Sequence, residues 1–365
     1  MYKKILVVFG TRPEAIKMCP LVKELKKRKE LEVKVCITGQ HKEMLEPILS
    51  TFEIVPDYNL EIMKEKQTLF DITTLILMKI KCIIEAENPT IVLVHGDTTT
   101  TFATALSCYY LNISIGHIEA GLRTYNIKSP YPEEFNRQAV SILAKYNFAP
   151  TEEAKNNLIK EGKNSDSIFV TGNTVIDALK TTVKDTYSHK ELEWSKDSKL
   201  ILLTAHRREN LGEPLKNIFK AINRIVNEYK NIKVIYPIHM NPEIRKTAKD
   251  IMGDNDRIRI IEPLDVIDFH NFLSRSYLIL SDSGGIQEEA PSLGKPVLVL
   301  RNTTERPEGI KSGTLKLIGT NEEQVYNEFK RLIIDQSEYK RMSNASNPYG
   351  YGNACKNIAD ILCGF

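Results

Sequence analysis

An α/β fold of two Rossmann-like, doubly wound domains facing a cleft is what this sequence predicts. Three observations predict it. Short apolar runs with the makeup of buried parallel strands recur from residue 3 to residue 300, each followed by a helical pattern. The length, 365 residues, exceeds one typical core, so the series divides in two. The residues that leave the runs are glycines, hydroxyls, histidines and charged groups, the types that gather where an open parallel sheet holds its ligand.

The first run, Lys3 to Phe9 (KKILVVF), is almost continuously apolar after its two lysines. Gly10-Thr11-Arg12-Pro13 stops it. Pro13 suits the first turn of a helix reaching about Arg28, because its φ is already helical and its missing N–H would have had no partner there. Strand signals return at 33–38, 90–95, 113–118 and 146–150, with helical patterns at about 44–52, 69–88, 99–111 and 132–145. A helix from near Thr151 and a strand at 167–171 extend the series. Residues 184–199 are polar, lack strong periodicity and carry the only tryptophan, Trp194, so the linker is placed there, giving domains 1–185 and 186–352. The second series has strands at 199–204, 233–238, 258–261, 277–280 and 296–300, again separated by helices. The Asn, Ser, Pro and Gly residues of 343–352 mark an irregular loop, and a last helix follows from residue 353.

The stretch LILSDSGGIQEEA, 278–290, reads as strand, phosphate-binding turn and helix. Ser283, Gly284 and Gly285 let the backbone turn so that unpaired N–H groups point outward at the positive end of a helix. A diphosphate would rest there, with the Ser283 hydroxyl as a further donor. Glu289, about one turn on, repels phosphate but accepts hydrogen bonds from ribose hydroxyls. The ligand indicated is a nucleotide diphosphate. The same residues also fit an ordinary βα turn whose serine caps a helix and whose glutamate is solvated.

Fifty basic against forty-seven acidic residues give a formal charge of +3, too balanced for a nucleic-acid or membrane-surface binder. Small molecules are the expected partners. Six cysteines show neither CxxC nor Cys/His zinc spacing and read as reduced, structural thiols. No metal cluster is expected. With no signal-peptide pattern and no run of about 18 apolar residues, the expected location is cytoplasmic. GxGxxG, GxxxxGK[ST] and GxSxG are all absent, which argues against a dehydrogenase of the dinucleotide-fingerprint type, a phosphate-loop ATPase and a serine hydrolase.

Two acids, Asp97 in VLVHGDTTTT and Glu119 in IGHIEAGLRT, emerge directly from buried strands. Asp97 fits equally a helix N-cap and a proton-transfer group. Glu133 in SPYPEEFNRQ fits a surface ion pair with Arg137 one turn later, yet Pro130, Tyr131 and Pro132 hold the start of its helix rigid, as a site residue requires. Arg12, Lys17, Arg207, Arg208 and Arg306 are available to hold phosphate or neutralise a departing diphosphate. His206, at a strand end, suits proton donation or phosphate binding. His95 and His117 end apolar strands and read as satisfied buried residues.

FGTRPEAIKM (9–18), HGDTTTT (95–101), HIEAGLRT (117–124), PEEFNRQ (132–138), TAHRREN (204–210), SDSGGIQEEA (281–290) and TTERPEG (303–309) together resemble one family, the non-hydrolysing UDP-N-acetylglucosamine 2-epimerases. The motifs span essentially the whole chain. The resemblance implies a glycosyltransferase-B type fold, UDP held mainly by the second domain, and a final helix, 353–365, packed back on the first. It implies interconversion of UDP-N-acetylglucosamine and UDP-N-acetylmannosamine without metal or other cofactor, in a homodimer, feeding cell-surface polysaccharide synthesis. Because the C2 proton of the sugar is not acidic, such enzymes expel UDP to give a glycal-type alkene and then add it back with the proton on the other face.

In that frame Asp97, Glu119 and Glu133 match the acid/base positions. Ser283, Gly284, Gly285, Arg12 and His206 match the diphosphate grip, Lys17 and Arg137 the partners of the acids, Glu289 the ribose ligand, Arg306 a nucleotide-side residue, and Phe269 a place beside the base. Phe269 fits a core aromatic equally well. Bacterial members bind a second UDP-N-acetylglucosamine as activator, and Gln40, His41, Arg207 and His239 match that site, whereas Glu43 and Lys66 replace the Gln and Arg of some members. A hydrolysing epimerase and a non-catalytic nucleotide-sugar sensor are the alternatives.

Overall fold

The computed structural model of the chain describes residues 3–39, 42–64, 67–304 and 306–364. It divides into two compact units, Met1–Thr181 with Tyr349–Phe365, and Thr182–Pro348. The first unit runs β1 (Lys3–Phe9), α1 (Arg12–Lys26), β2 (Leu31–Ile37), α2 (Lys42–Thr51), β3 (Tyr58–Asn59), α3 (Leu69–Glu87), β4 (Ile91–His95), α4 (Thr99–Tyr110), β5 (Ser114–Ile118), α5 (Glu133–Leu143), β6 (Tyr146–Ala149), α6 (Glu152–Lys160), β7 (Ile168–Val170) and α7 (Thr174–Thr182). Its sheet is parallel, in the order β3-β2-β1-β4-β5-β6-β7. Burial on both faces explains the unbroken apolar runs: residues 5–9 and 91–95 are buried throughout.

The second unit runs α8 (Lys190–Ser195), β8 (Lys199–Thr204), α9 (Glu213–Glu228), β9 (Ile232–Pro237), α10 (Pro242–Met252), β10 (Ile258–Ile261), α11 (Val266–Arg275), β11 (Leu278–Ser281), α12 (Ile286–Ser292), β12 (Val297–Val299), α13 (Pro307–Ser312), β13 (Leu315–Leu317), α14 (Glu322–Ile334) and α15 (Gln336–Ser343). The sheet order is β10-β9-β8-β11-β12-β13, again parallel. The chain then returns to the first unit as α16 (Ala354–Gly364), which packs on α1. Asp177 accepts the N–H groups of Ala354 and Cys355, each at 3.1 Å, and Lys3 Nζ donates to the carbonyl of Cys363 at 2.8 Å.

Two readings of the sequence change here. The stretch 184–199, read as a polar linker, contains α8, with Leu192 in the core and Trp194 between Lys233 and Arg259, whose cations lie 4.8 and 4.3 Å from its ring centroid. A six-residue helix with two large apolar side chains is too short to show a period. β3 and β13 were not expected, being edge strands of two and three residues.

The strand orders mark where open parallel sheets ordinarily hold a ligand. In the first sheet the direction of winding reverses between β1 and β4, and in the second between β8 and β11. Helices leaving the two central strands go to opposite faces there, which leaves the carboxyl ends of those strands uncovered. Those four ends carry Gly10 to Arg12, Gly96 and Asp97, His206 and Arg207, and Ser283 to Gly285.

Candidate active site

Glu119, one residue beyond β5, is the centre of the first unit's site. Its side chain is 7% exposed and its φ is +61°, the left-handed region that costs a non-glycine residue about 1 kcal/mol or more. That conformation turns the carboxylate onto cations. Lys17 from α1 ion-pairs with Oε2, Arg137 Nη2 from α5 lies 3.3 Å from Oε1, and Asn173 Nδ2 donates to Oε2 at 3.1 Å. Arg137 Nη1 also donates to the Glu119 carbonyl. Burial alone would raise the Glu119 pKa, but Lys17, His95 and Arg137 together hold it well below the usual carboxylate range.

Asp97 meets the same arginine, through Nη2, from the neighbouring strand end. It does not cap α4: Thr98 does, its hydroxyl accepting from Thr101 N at 3.1 Å. The Asp97 carboxylate is thereby left to Arg137, and its carbonyl accepts from Asn136 Nδ2 at 2.9 Å. Glu133 is partly exposed and stands apart from the Arg137 ion pairs. The surface pair that the spacing allows is not made, because Arg137 is 5% exposed and points inward to Asp97 and Glu119. The following residue, Glu134, is the structural one. It accepts from the N–H groups of Thr124 and Tyr125, both at 3.0 Å, and so ties the 122–132 loop to α5.

His95 and His117 are buried as expected, but each keeps one ring nitrogen without a hydrogen-bond partner, while His117 Nε2 lies 2.7 Å from the Gly96 carbonyl. His95 Nε2 has no hydrogen-bond partner and lies 3.6 Å from Glu119 Oε2, and His117 Nδ1 is likewise unpaired. Burial pushes the pKa of both rings down to about 3, so both are neutral near pH 7. Arg12 occupies the first position of α1 with its side chain exposed.

In the second unit Gly284 and Gly285 precede α12, which has only seven residues. Positive φ is not the reason for glycine here. A Cβ on Gly284 would lie 3.0 Å from Arg306 Nη1 and 3.2 Å from its Cζ, so glycine admits the guanidinium against the turn. Arg306 Nε is held by the buried Glu288 at 2.7 Å. Glu289 projects from α12 toward His270, whose Nε2 is 3.5 Å from Oε2 and whose Nδ1 is 2.7 Å from the Thr182 hydroxyl. Ser283 and Phe269 are partly exposed, and Phe269 packs against the core of the sheet.

His206 and His239 stack, with centroids 5.6 Å apart and planes 6° from parallel. Asp282, fully buried, accepts the N–H groups of His206 and Arg207 at 2.8 Å each and Asn210 Nδ2 at 3.1 Å, fixing that turn. Loss of hydration lowers the His206 pKa more than Asp282 raises it, and His239 and Arg207 add to the lowering. The neutral imidazole is therefore favoured. Of the residues expected for an activator, Arg207 and His239 are described, whereas Gln40, His41 and Lys66 lie outside the described residues, as does the side chain of Glu43.

Sequence reasoning missed Glu14, Glu134, Asn173, Asp282 and Glu288. Glu14, Glu134, Asp282 and Glu288 lie inside the motifs quoted above and Asn173 outside them, and all five are buried. The TxxE spacing of Thr11 and Glu14 was the one available signal, since it spells a capping box.

The profile of the family described as UDP-N-acetylglucosamine 2-epimerase matches residues 23–363. A UDP-N-acetylglucosamine 2-epimerase of Bacillus subtilis is 59% identical over 359 residues, 98% of this chain and 94% of the relative. The structure of S. aureus MnaA with UDP superimposes with a TM-score of 0.91 at 54% identity, covering 99% of this chain and 96% of that one. The Neisseria meningitidis UDP-GlcNAc 2-epimerase bound to UDP-GlcNAc gives 0.90 at 51% identity, covering 99% and 100%.

Proposed function

Because this chain belongs to the UDP-N-acetylglucosamine 2-epimerase family, we propose that it interconverts UDP-N-acetylglucosamine and UDP-N-acetylmannosamine at C2. The reaction eliminates UDP and adds it back. In the first half a carboxylate takes the C2 proton while the C1–O bond to UDP breaks, leaving a C1=C2 alkene. In the second a UDP oxygen re-forms the bond to C1 and a carboxylic acid returns a proton to the opposite face of C2. The observation that carries this reading is the Arg137 guanidinium shared by Asp97 and Glu119 at the winding reversal of the first sheet.

That arrangement divides the labour. A carboxylate held well below its usual range is a weak base, so Glu119 keeps Lys17 and Arg137 in place and supplies negative charge. Proton exchange with C2 falls to Asp97 and Glu133, which are more accessible. In the second unit the turn at Ser283, Gly284 and Gly285, with Arg306, receives the diphosphate. Glu289 takes the ribose, Phe269 borders the base, and His206 neutralises the leaving diphosphate.

A regulatory second UDP-N-acetylglucosamine belongs to this reading, with Arg207 and His239 of the second unit among its candidate ligands. The stacking of His239 on His206 supports it. Homodimerisation is also part of it, supported by the exposed Phe70, Met78, Tyr109, Tyr110, Phe135 and Ile142 on α3, α4 and α5, helices that pack side by side. A cytoplasmic location and a supply role for cell-envelope polysaccharide complete it. The test is proton NMR of the chain incubated with each UDP-sugar. Equilibration of the two supports the proposal. Free N-acetylmannosamine with UDP would indicate the hydrolysing reaction, and an unchanged substrate a sensor.

A further inference from the structure

Glu14 is fully enclosed in the first unit, at 2% exposure. One carboxylate oxygen, Oε2, accepts the N–H groups of Gly10 and Thr11 at 3.0 and 2.7 Å. The other, Oε1, accepts the hydroxyls of Thr98 and Thr101 at 2.7 and 3.2 Å. The first pair belongs to the turn between β1 and α1, which presents Arg12. The second belongs to the turn between β4 and α4, which presents Asp97. Those turns flank the winding reversal of the sheet, where successive helices diverge and no backbone hydrogen bond joins one loop to the other. The turns are also crowded, since a Cβ on Gly10 would lie 1.9 Å from Thr38 Oγ1 and 2.6 Å from Thr100 Oγ1.

A helix cap alone does not need this side chain. At the start of α3 the same capping box is made with aspartate: Asp71 accepts Thr68 N at 2.8 Å and donates its own N–H back to the Thr68 hydroxyl. Glutamate at position 14 has one methylene more than that task requires, and its additional reach is spent on Thr98 and Thr101. Burial raises the Glu14 pKa against the lowering by its hydrogen bonds, so the group is retained despite a desolvation cost.

We propose that Glu14 is a positioning residue that bridges the two turns and sets Asp97 for proton transfer, acting through the Thr98 and Thr101 hydroxyls. The inference rests on the reading of Asp97 given above. Misplacing a reacting group by a fraction of a bond length is costly in rate without altering ligand binding elsewhere.

The test is Glu14→Asp in the full chain. Aspartate keeps the cap, and with it the Arg12 turn, but falls short of Thr98 and Thr101. The expected result is a native circular dichroism spectrum, UDP affinity within about twofold of the parent, and kcat lower by about tenfold to a hundredfold. Glu14→Gln spans both turns, accepting from the amides and donating to the hydroxyls, and should recover most of that loss. Parental kcat in Glu14→Asp would overturn the proposal, as would Glu14→Gln being equally slow. Should Glu14→Asp fail to fold, the double variant Thr98→Val, Thr101→Val removes both hydroxyls that Oε1 accepts and so releases the bridge from the other side, and a parental kcat there has the same meaning. Asp97→Asn is measured alongside. If it is slow while Glu14→Asp is fast, Glu14 alone is removed; if it is fast, the assignment of Asp97 fails and the proposal with it.

Discussion

The guanidinium of Arg137 closes its ion pair on Asp97, across the gap between two strand ends, and leaves Glu133 on its own helix unpaired with it. One cation therefore organises the acids of the site, and the three acids differ in what they would leave behind if neutralised.

Asp97→Asn, Glu119→Gln and Glu133→Gln are each expected to lower turnover by at least about a hundredfold while UDP affinity is kept. Their stabilities should separate. Glu119→Gln strands Lys17 beside a neutral amide in a buried site and should cost about 3 kcal/mol, whereas Glu133→Gln, at a partly exposed position, should stay within about 0.5 kcal/mol. Urea unfolding ranks them; equal stabilities would contradict the burial of the Lys17 pair.

Glu289→Ala should weaken UDP binding by roughly 1.5 to 3 kcal/mol, the range for hydrogen bonds to a charged group. Calorimetry with UDP decides it. An unchanged dissociation constant removes Glu289 from the nucleotide site.

Gly284→Ala places a methyl against the Arg306 guanidinium, which Glu288 holds from the other side. The guanidinium must shift. UDP affinity should fall by about tenfold, close to 1.4 kcal/mol, with the unfolding midpoint little changed. A variant that binds UDP as the parent does would show that the guanidinium is not where the diphosphate rests.

Stability should fall with acid. In the unfolded chain His117 titrates near 6.5, but in the fold burial, aided by Arg137 and Arg123, pushes it down to about 3. Between those values only the unfolded chain takes up the proton. The contribution is therefore fully present above about pH 6.5 and is lost as pH falls through the window, by at most about 1.4 kcal/mol per pH unit, with His95 adding its own share. Urea midpoints at pH 7.5, 6.5 and 5.5 test this. His117→Gln, which keeps the N–H to the Gly96 carbonyl, should show the shallower decline, and identical slopes would count against it.

With UDP-N-acetylmannosamine as the sole substrate, the reaction should start slowly and accelerate when a little UDP-N-acetylglucosamine is added. Gln40→Ala should flatten that response and leave the chemistry intact. Full rate from the first second would rule out regulation by a second site.

The strands were legible because burial on both sheet faces leaves runs such as KILVVF that few other structures need, and the candidate site was legible because its acids and glycines stand at the ends of those runs. What stayed hidden was tertiary. Glu14, Glu134 and Glu288 lie in the first turns of helices, where an acidic residue ordinarily complements the helix dipole in water, and only the fold shows them enclosed. Asn173 is fifty-four positions from Glu119, beyond any local pattern. Asp97 and Thr98 compete for one cap, and a hydroxyl against a carboxylate cannot be decided without knowing that Arg137 waits for the loser.

Ribosomal synthesis runs against the architecture at one place. α16 covers α1, yet every residue of the second unit is translated between them. A nascent first unit must wait with α1 bare and with Asp177 lacking the two amides of Ala354 and Cys355, while the second unit, contiguous in the chain, is free to fold as soon as it emerges. The order of maturation is thus inverted with respect to the order of translation, and a ribosome-bound chain halted before residue 349 should be captured by chaperones through its first half rather than its second.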